Sequence, residues 1–192
     1  QYYRAENATV AGGFLTITAR QQSFGGKAYT SARLRSQGLA DFTYGKIEMR
    51  AKLPIGRGMW PAFWMLPTNS PYGNWPVSGE IDIMEYVGHQ PSQVFGTLHY
   101  GNPNQIYSST STSLASGTFH DDFHVFAIEW EPNRIRWLVD GVQSACKSHW
   151  ISSAAGYPAP FDTPFHLLLN LAVGGNLPGA PDGSTIFPQE YV

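Results

Sequence analysis

The sequence predicts an all-β fold, a sandwich of two sheets. Three observations predict it. The 20 Gly and 14 Pro are scattered along all 192 residues and leave little room for long helices. Short runs of alternating apolar residues recur between turn residues. No helical pattern separates those runs, so the βαβ alternation of a parallel sheet is excluded. The chain is long enough for one domain with a sizeable core. No repeat or linker divides residues 1–192, so a single domain is expected.

Taken in order, Phe14 to Ala19 alternates as a strand does. Ile47, Met49, Ala51 and Leu53 share one face and Lys46, Glu48, Arg50 and Lys52 the other, which describes a half-buried strand with a charged outer side. Further strands are expected at Trp60 to Leu66, Ile81 to Val87, Val94 to Tyr100, His124 to Trp130, Ile135 to Val139 and Phe165 to Val173. Asp140-Gly141 is the two-residue turn of a hairpin. The Ser/Thr-rich stretch Ser108 to Ser116 reads as an exposed loop. Tyr191-Val192 reads as the start of a strand.

Composition narrows the function. Charged residues are 14% of the chain, the net charge is −2, and no Lys/Arg cluster occurs. Nucleic acid, whose phosphates demand basic patches, is excluded as a partner. Aromatic residues are also 14%, with 6 Trp and 10 Tyr. Such a chain suits a cleft for a neutral ligand with flat C–H faces, such as a sugar; an aromatic core accounts for the composition equally well. The single cysteine, Cys146, excludes an internal disulfide. No run of 18 apolar residues exists to span a membrane, and no signal peptide is visible in the sequence, which starts Gln1-Tyr2-Tyr3 inside what reads as folded sequence.

The most informative segment is Gly79-Glu80-Ile81-Asp82-Ile83-Met84-Glu85-Tyr86. Carboxylates inside an apolar strand are rare without a partner or a task. Glu80 and Asp82 share a face. Regular alternation would send Glu85 to the opposite one, and one extra residue at Ile83-Met84, a β-bulge, would return it. Two carboxyl groups flanking one bond are what glycoside hydrolysis needs, about 5–5.5 Å apart for retention and about 6.5–9.5 Å for inversion. Side chains two residues apart on a strand start roughly 6–7 Å apart, and flexible Glu side chains can close that to the retaining range. The intervening Asp would push its neighbours' pKa values apart. A solvated outer face and a calcium site are the competing readings of the same acids.

Gly79 to Glu85 resembles the signature of glycoside hydrolase family 16, in its laminarinase-like branch. Trp60-Pro61-Ala62-Phe63-Trp64-Met65-Leu66, Tyr29 to Arg33, Tyr44 to Glu48, Gly96 to Tyr100, Phe126 to Trp130 and Asn170 to Gly175 are also similar to segments of that branch, in the same order. The resemblance implies a jelly-roll sandwich with a concave substrate cleft and a retaining double displacement. It implies Glu80 as nucleophile, Glu85 as acid/base and Asp82 as the assisting acid. The longer, bulged motif is shared with agarases and carrageenases, whereas lichenases and xyloglucan transferases have acids at every second residue. The flanking matches and the neutral composition favour an endo-β-1,3-glucanase that also accepts mixed β-1,3/1,4-glucan. An agarase is the alternative within the enzyme class, and a non-catalytic glucan-binding protein the alternative outside it; such binders typically lose the acids.

The same resemblance makes Trp75 a sugar contact near the cleavage point, and His99, by strand parity with Phe95 and Thr97, a cleft residue. Trp60 and Trp64, four apart on one strand, share a face, and Trp64 is preferred as the cleft floor. Arg33 is expected to bond sugar hydroxyls or to form a sheet salt bridge. Asn170, a polar residue among leucines, is expected to have a polar partner in the cleft or on the backbone. His120 and His124 have the spacing of a helical metal pair, but the following segment reads as strand. Leu177 stands where many relatives carry an aromatic residue, which weakens stacking at one edge of the cleft. No cofactor is expected for catalysis. The resemblance implies that a structural calcium occurs in the family, and that its usual ligand segments and the family's first and last strands are expected to fall outside this sequence. A chain shortened in that way would expose sheet edges open to association. A secreted, extracellular protein is expected.

Overall fold

The computed structural model describes residues 1–101, 104–152 and 154–192. Its strands, in chain order, are β1 (Tyr2–Tyr3), β2 (Ala8–Ala11), β3 (Phe14–Ala19), β4 (Thr30–Ser31), β5 (Arg33–Arg35), β6 (Asp41–Phe42), β7 (Gly45–Ala51), β8 (Met59–Pro67), β9 (Glu80–Tyr86), β10 (Gln93–Tyr100), β11 (Ile106–Ser113), β12 (His124–Glu131), β13 (Arg134–Val139), β14 (Val142–Lys147), β15 (Phe165–Val173) and β16 (Gln189–Tyr191). The fold is nearly all β, as the sequence predicts. One large sheet has the order β11-β10-β9-β8-β15-β5, with β6 also pairing β15. A second sheet runs β14-β13-β12-β7, a third β16-β3-β2, and β1 pairs β4 in parallel.

Alternation puts each strand's apolar set between the layers. On β8, Met59, Phe63 and Met65 are buried in the core, while Trp60, Trp64 and Leu66 remain half-buried on the other face. On β15, Phe165, Leu171 and Val173 are core, and Leu167 and Leu169 pack against it. The facing strand β12 contributes Phe126, Ile128 and Trp130. Trp130 stands edge-on to Phe165 with ring centroids 5.4 Å apart, and its indole N–H donates to the Phe161 carbonyl at 3.2 Å. A buried indole must find such an acceptor, or lose about 1–3 kcal/mol.

The charged face expected of β7 is present: Lys46 and Glu48 are exposed and paired at 2.6 Å. Asp140 and Gly141 take φ of 50° and 78°, the left-handed values of a type I′ turn, and Val139 pairs with Val142 across it. Ser108 to Ser113 corrects the loop expectation, since these residues lie in β11, an edge strand paired to β10 along its whole length. Only one face of β11 meets the core. Small hydroxyl side chains suffice there, so hydropathy does not mark the strand.

The bulge in β9 is real. Glu85 pairs with Phe95 and Asp82 with Thr97, so Ile83 and Met84 together oppose Gly96. Both sink into the core, at 4% and 0% exposure. A Cβ on Gly96 would collide with the Trp137 ring. The glycine thus admits Trp137 of β13, whose indole N–H donates to the Asp82 carbonyl at 2.9 Å. The second sheet thereby holds the acidic strand at its irregular point.

Candidate active site

With the bulge in place, Glu80, Asp82 and Glu85 project from one face of β9, in the middle of the large sheet. Each acid has a neighbour that restrains it. The Trp75 indole N–H donates to Glu80 Oε2 at 2.5 Å. The Trp60 indole N–H donates to Glu85 Oε1 at 3.1 Å. His99, two strand positions from Thr97 on β10, brings Nε2 to 3.1 Å from Asp82 Oδ2. Asp82 is 2% exposed, so this oxygen has no water to fall back on.

Burial raises all three carboxyl pKa values, because a charge loses its hydration there. The Glu80 carboxyl is pushed up to about 8, first by burial and then by the charge of Asp82; His99 and the Trp75 N–H pull the other way. Burial, then the charge of Glu85, lifts Asp82 well above the usual carboxylate range. Glu85 is raised by burial, while the Trp60 N–H opposes the rise. The groups titrate as one unit, and at neutral pH the unit keeps a proton. A cluster that retains both a proton and a carboxylate can act as acid and nucleophile at once.

A cleft of about 710 Å³ opens beside Glu80 over the faces of β8, β15 and β5. Trp64 and Arg33 line it, and so do Tyr3, Arg35 and His166, which the sequence does not single out. Trp64 donates its indole N–H to Asn170 Oδ1 at 2.7 Å, which supplies the polar partner expected for that buried asparagine. The Arg33 guanidinium lies over the Trp64 ring, 4.7 Å from its centroid. That stacking takes the place of the sheet salt bridge, and no carboxylate pairs with Arg33 among the described residues. Trp60 and Trp64 thus both serve the site, one at the acids and one under the cleft, where alternation alone leaves them equivalent. Trp75 is 52% exposed, its ring open to a ligand. Its loop is tied down by Tyr72, whose hydroxyl donates to the Asp162 carboxylate at 2.9 Å, and by Ser78, which donates to the Gly73 carbonyl at 2.7 Å.

His120 and His124 turn to different partners. Nδ1 of His120 is 2.9 Å from the Leu53 carbonyl, and Nδ1 of His124 is 2.7 Å from Asp140. Among the described residues, the group that could hold a metal ion is Glu80, Asp82 and His99, whose ligand atoms lie within 4.8 Å of one another. Calcium wants six to eight oxygens, which this group does not offer. Hydrolysis by paired carboxyl groups needs no cofactor.

Removing only the indole donor tests Trp75. The variant Trp75→Phe keeps an aromatic face but loses the bond to Glu80. A hydrogen bond to a charged group is worth about 1.5–3 kcal/mol, so kcat/KM is expected to fall roughly 10- to 100-fold. Unchanged kinetics would show that the bond to Glu80 is dispensable and leave Trp75 only its aromatic face.

A β-sandwich with acids clustered beside an aromatic cleft is the architecture of a glycoside hydrolase. The chain belongs to glycosyl hydrolases family 16, whose sequence profile it matches over residues 2–186. It is 47% identical over 193 residues to a β-glucanase of Rhodothermus marinus, covering 91% of this chain and 64% of that one. A glucan endo-1,3-β-glucosidase of Cryptopygus antarcticus is 40% identical over 98% of this chain and 77% of its own length. Among solved structures, the laminarinase from Rhodothermus marinus superposes with a TM-score of 0.88 at 44% identity, covering all of this chain and 80% of that one. The chain therefore spans about two thirds to four fifths of these relatives.

Proposed function

We propose that this chain is the catalytic domain of a secreted, retaining endo-β-1,3-glucanase that also cuts mixed β-1,3/1,4-glucan. The observation that carries the reading is the arrangement on β9. Glu80, Asp82 and Glu85 share the cleft face across one bulge, and Glu80 and Glu85 each hold an indole donor. The three acids, intact, favour a hydrolase over a glucan-binding protein. The similarity to a β-glucanase and a glucan endo-1,3-β-glucosidase favours glucan over agarose.

In the first step Glu80 attacks the anomeric carbon while Glu85 gives its proton to the departing glycosidic oxygen. In the second, Glu85 takes a proton from water, which displaces Glu80. The positive charge that develops on the sugar favours the ionised form of Glu80, so the proton the cluster retains resides on Glu85 as the bond breaks. Asp82, between them, holds Glu80 in line. Trp64 and Trp75 offer flat faces to pyranose rings. A polymeric substrate is met outside the cell, which is where we place the enzyme.

Digestion of laminarin, lichenan and agarose, with product analysis, tests the substrate. Internal cuts in laminarin and lichenan and none in agarose are expected. Proton NMR of the first product tests the mechanism. The β-anomer is expected to appear before mutarotation, and an initial α-anomer would mean inversion and a different pair of catalytic groups.

A further inference from the structure

A residue outside the acidic strand controls which side of His99 faces the acids. Gln105 lies just ahead of β11, and its side-chain Nε2 is 2.8 Å from His99 Nδ1. An amide nitrogen is only a donor, so Nδ1 must accept through its lone pair, which places the ring proton of neutral His99 on Nε2. That nitrogen is the one 3.1 Å from Asp82 Oδ2. Asp82 Oδ2 makes no aligned hydrogen bond in this structure, so His99 Nε2 is the potential donor within reach of it. With the other tautomer, two lone pairs would meet at this distance inside a buried site. The ring lies between Trp75 and Tyr107, with centroids 6.1 and 6.3 Å away.

We propose that Gln105 is a positioning residue for the acidic cluster, fixing His99 as the Nε2–H tautomer so that a donor, not a lone pair, faces Asp82. The inference rests on the hydrolase reading for its consequence, but not for its geometry. Its consequence is that a donor, not a lone pair, sets the position of Asp82 beside the two glutamates. Loss of the Gln105 donor would free the Nδ1 position to take the proton. Asp82 would then face a lone pair, and its placement between Glu80 and Glu85 would be lost.

The test uses long-range 1H–15N NMR of the histidine ring nitrogens, with His99 assigned by a His99→Gln spectrum. In the native chain the His99 signals are expected to report a protonated Nε2 and an accepting Nδ1. In Gln105→Glu, whose carboxylate accepts, a protonated Nδ1 is expected. In Gln105→Ala a mixture of tautomers is expected. On laminarin, kcat is expected to fall about tenfold in both variants with KM changed less than twofold, since Gln105 acts on the ring beside the acids. Native-like tautomer signals in both variants would overturn the proposal, whatever the activities. So would an Nδ1–H ring in the native chain. A native chain with the expected tautomer but no glucanase activity would instead retire the hydrolase reading and leave the role of Gln105 on the ring intact.

Discussion

Glu80→Gln and Glu85→Gln are each expected to lower kcat on laminarin by about a thousandfold or more. Proton transfer from a placed acid contributes about 10²–10⁴-fold, and each tenfold is about 1.4 kcal/mol of barrier. Loss of the attacking carboxylate removes the covalent route altogether. Gln keeps the volume and the oxygen that accepts the indole N–H from Trp75 or Trp60, so the fold is expected to survive, as circular dichroism would show. Azide separates the two roles. In Glu85→Ala it should attack the glycosyl-enzyme and release the β-glycosyl azide. In Glu80→Ala it should enter from the opposite face and give the α-azide. Near-native turnover in either Gln variant would remove that residue from the mechanism.

The same Glu80→Gln substitution is expected to make the protein more stable at alkaline pH. In the unfolded chain Glu80 titrates near its ordinary value of 4.5, and in the fold it is pushed up to about 8. Between these values the unfolded chain has lost the proton while the folded chain still holds it. Stability is therefore full below about pH 4.5 and falls as pH rises toward 8. Gln carries no charge at any pH and escapes that loss. At about 1.4 kcal/mol per pH unit, the variant should gain on the order of 4–5 kcal/mol at pH 8–9, roughly 10–15 °C in Tm for a chain of this size. The gain should vanish near pH 4. Melting curves of the two proteins that run parallel from pH 4 to pH 9 would show that the site stores no such strain.

The core strands and the acids were legible because burial writes a period into sequence. β8, β9, β10, β12 and β15 fall within a residue or two of their expected bounds, since each has a face closed by the opposite sheet. The bulge was legible because an odd spacing of acids has no other way to share a face. The short strands β1, β4, β5 and β6 were not, because two or three residues carry no period. β11 escaped because its residues are small and polar, although Thr110 and Thr112 close over Trp137. The partners of the acids were less visible still. Nothing local to Trp137 or Gln105 announces that one reaches the Asp82 carbonyl and the other the His99 ring. The first joins strands 55 residues apart, and the second depends on how Gln105, just ahead of β11, folds back on β10. Trp60 and Trp64 differ only in what lies across the sheet from them, Glu85 for one and Asn170 for the other.

The two inward residues at the bulge, Ile83 and Met84, also act as a spacer of adjustable length. Taking out either one would leave every other side chain of β9 on the face it now occupies, because the strand would simply return to unbroken alternation. Glu85 would remain over the cleft, but one strand rise, about 3.3 Å, closer to Glu80. The gap between the two carboxyl groups can thus be reset by the loss or gain of a single codon without re-patterning the strand. That gap decides whether a water fits between acid and sugar. In this fold the reach of the catalytic pair is set by counting residues, and inside–outside order is conserved through the count.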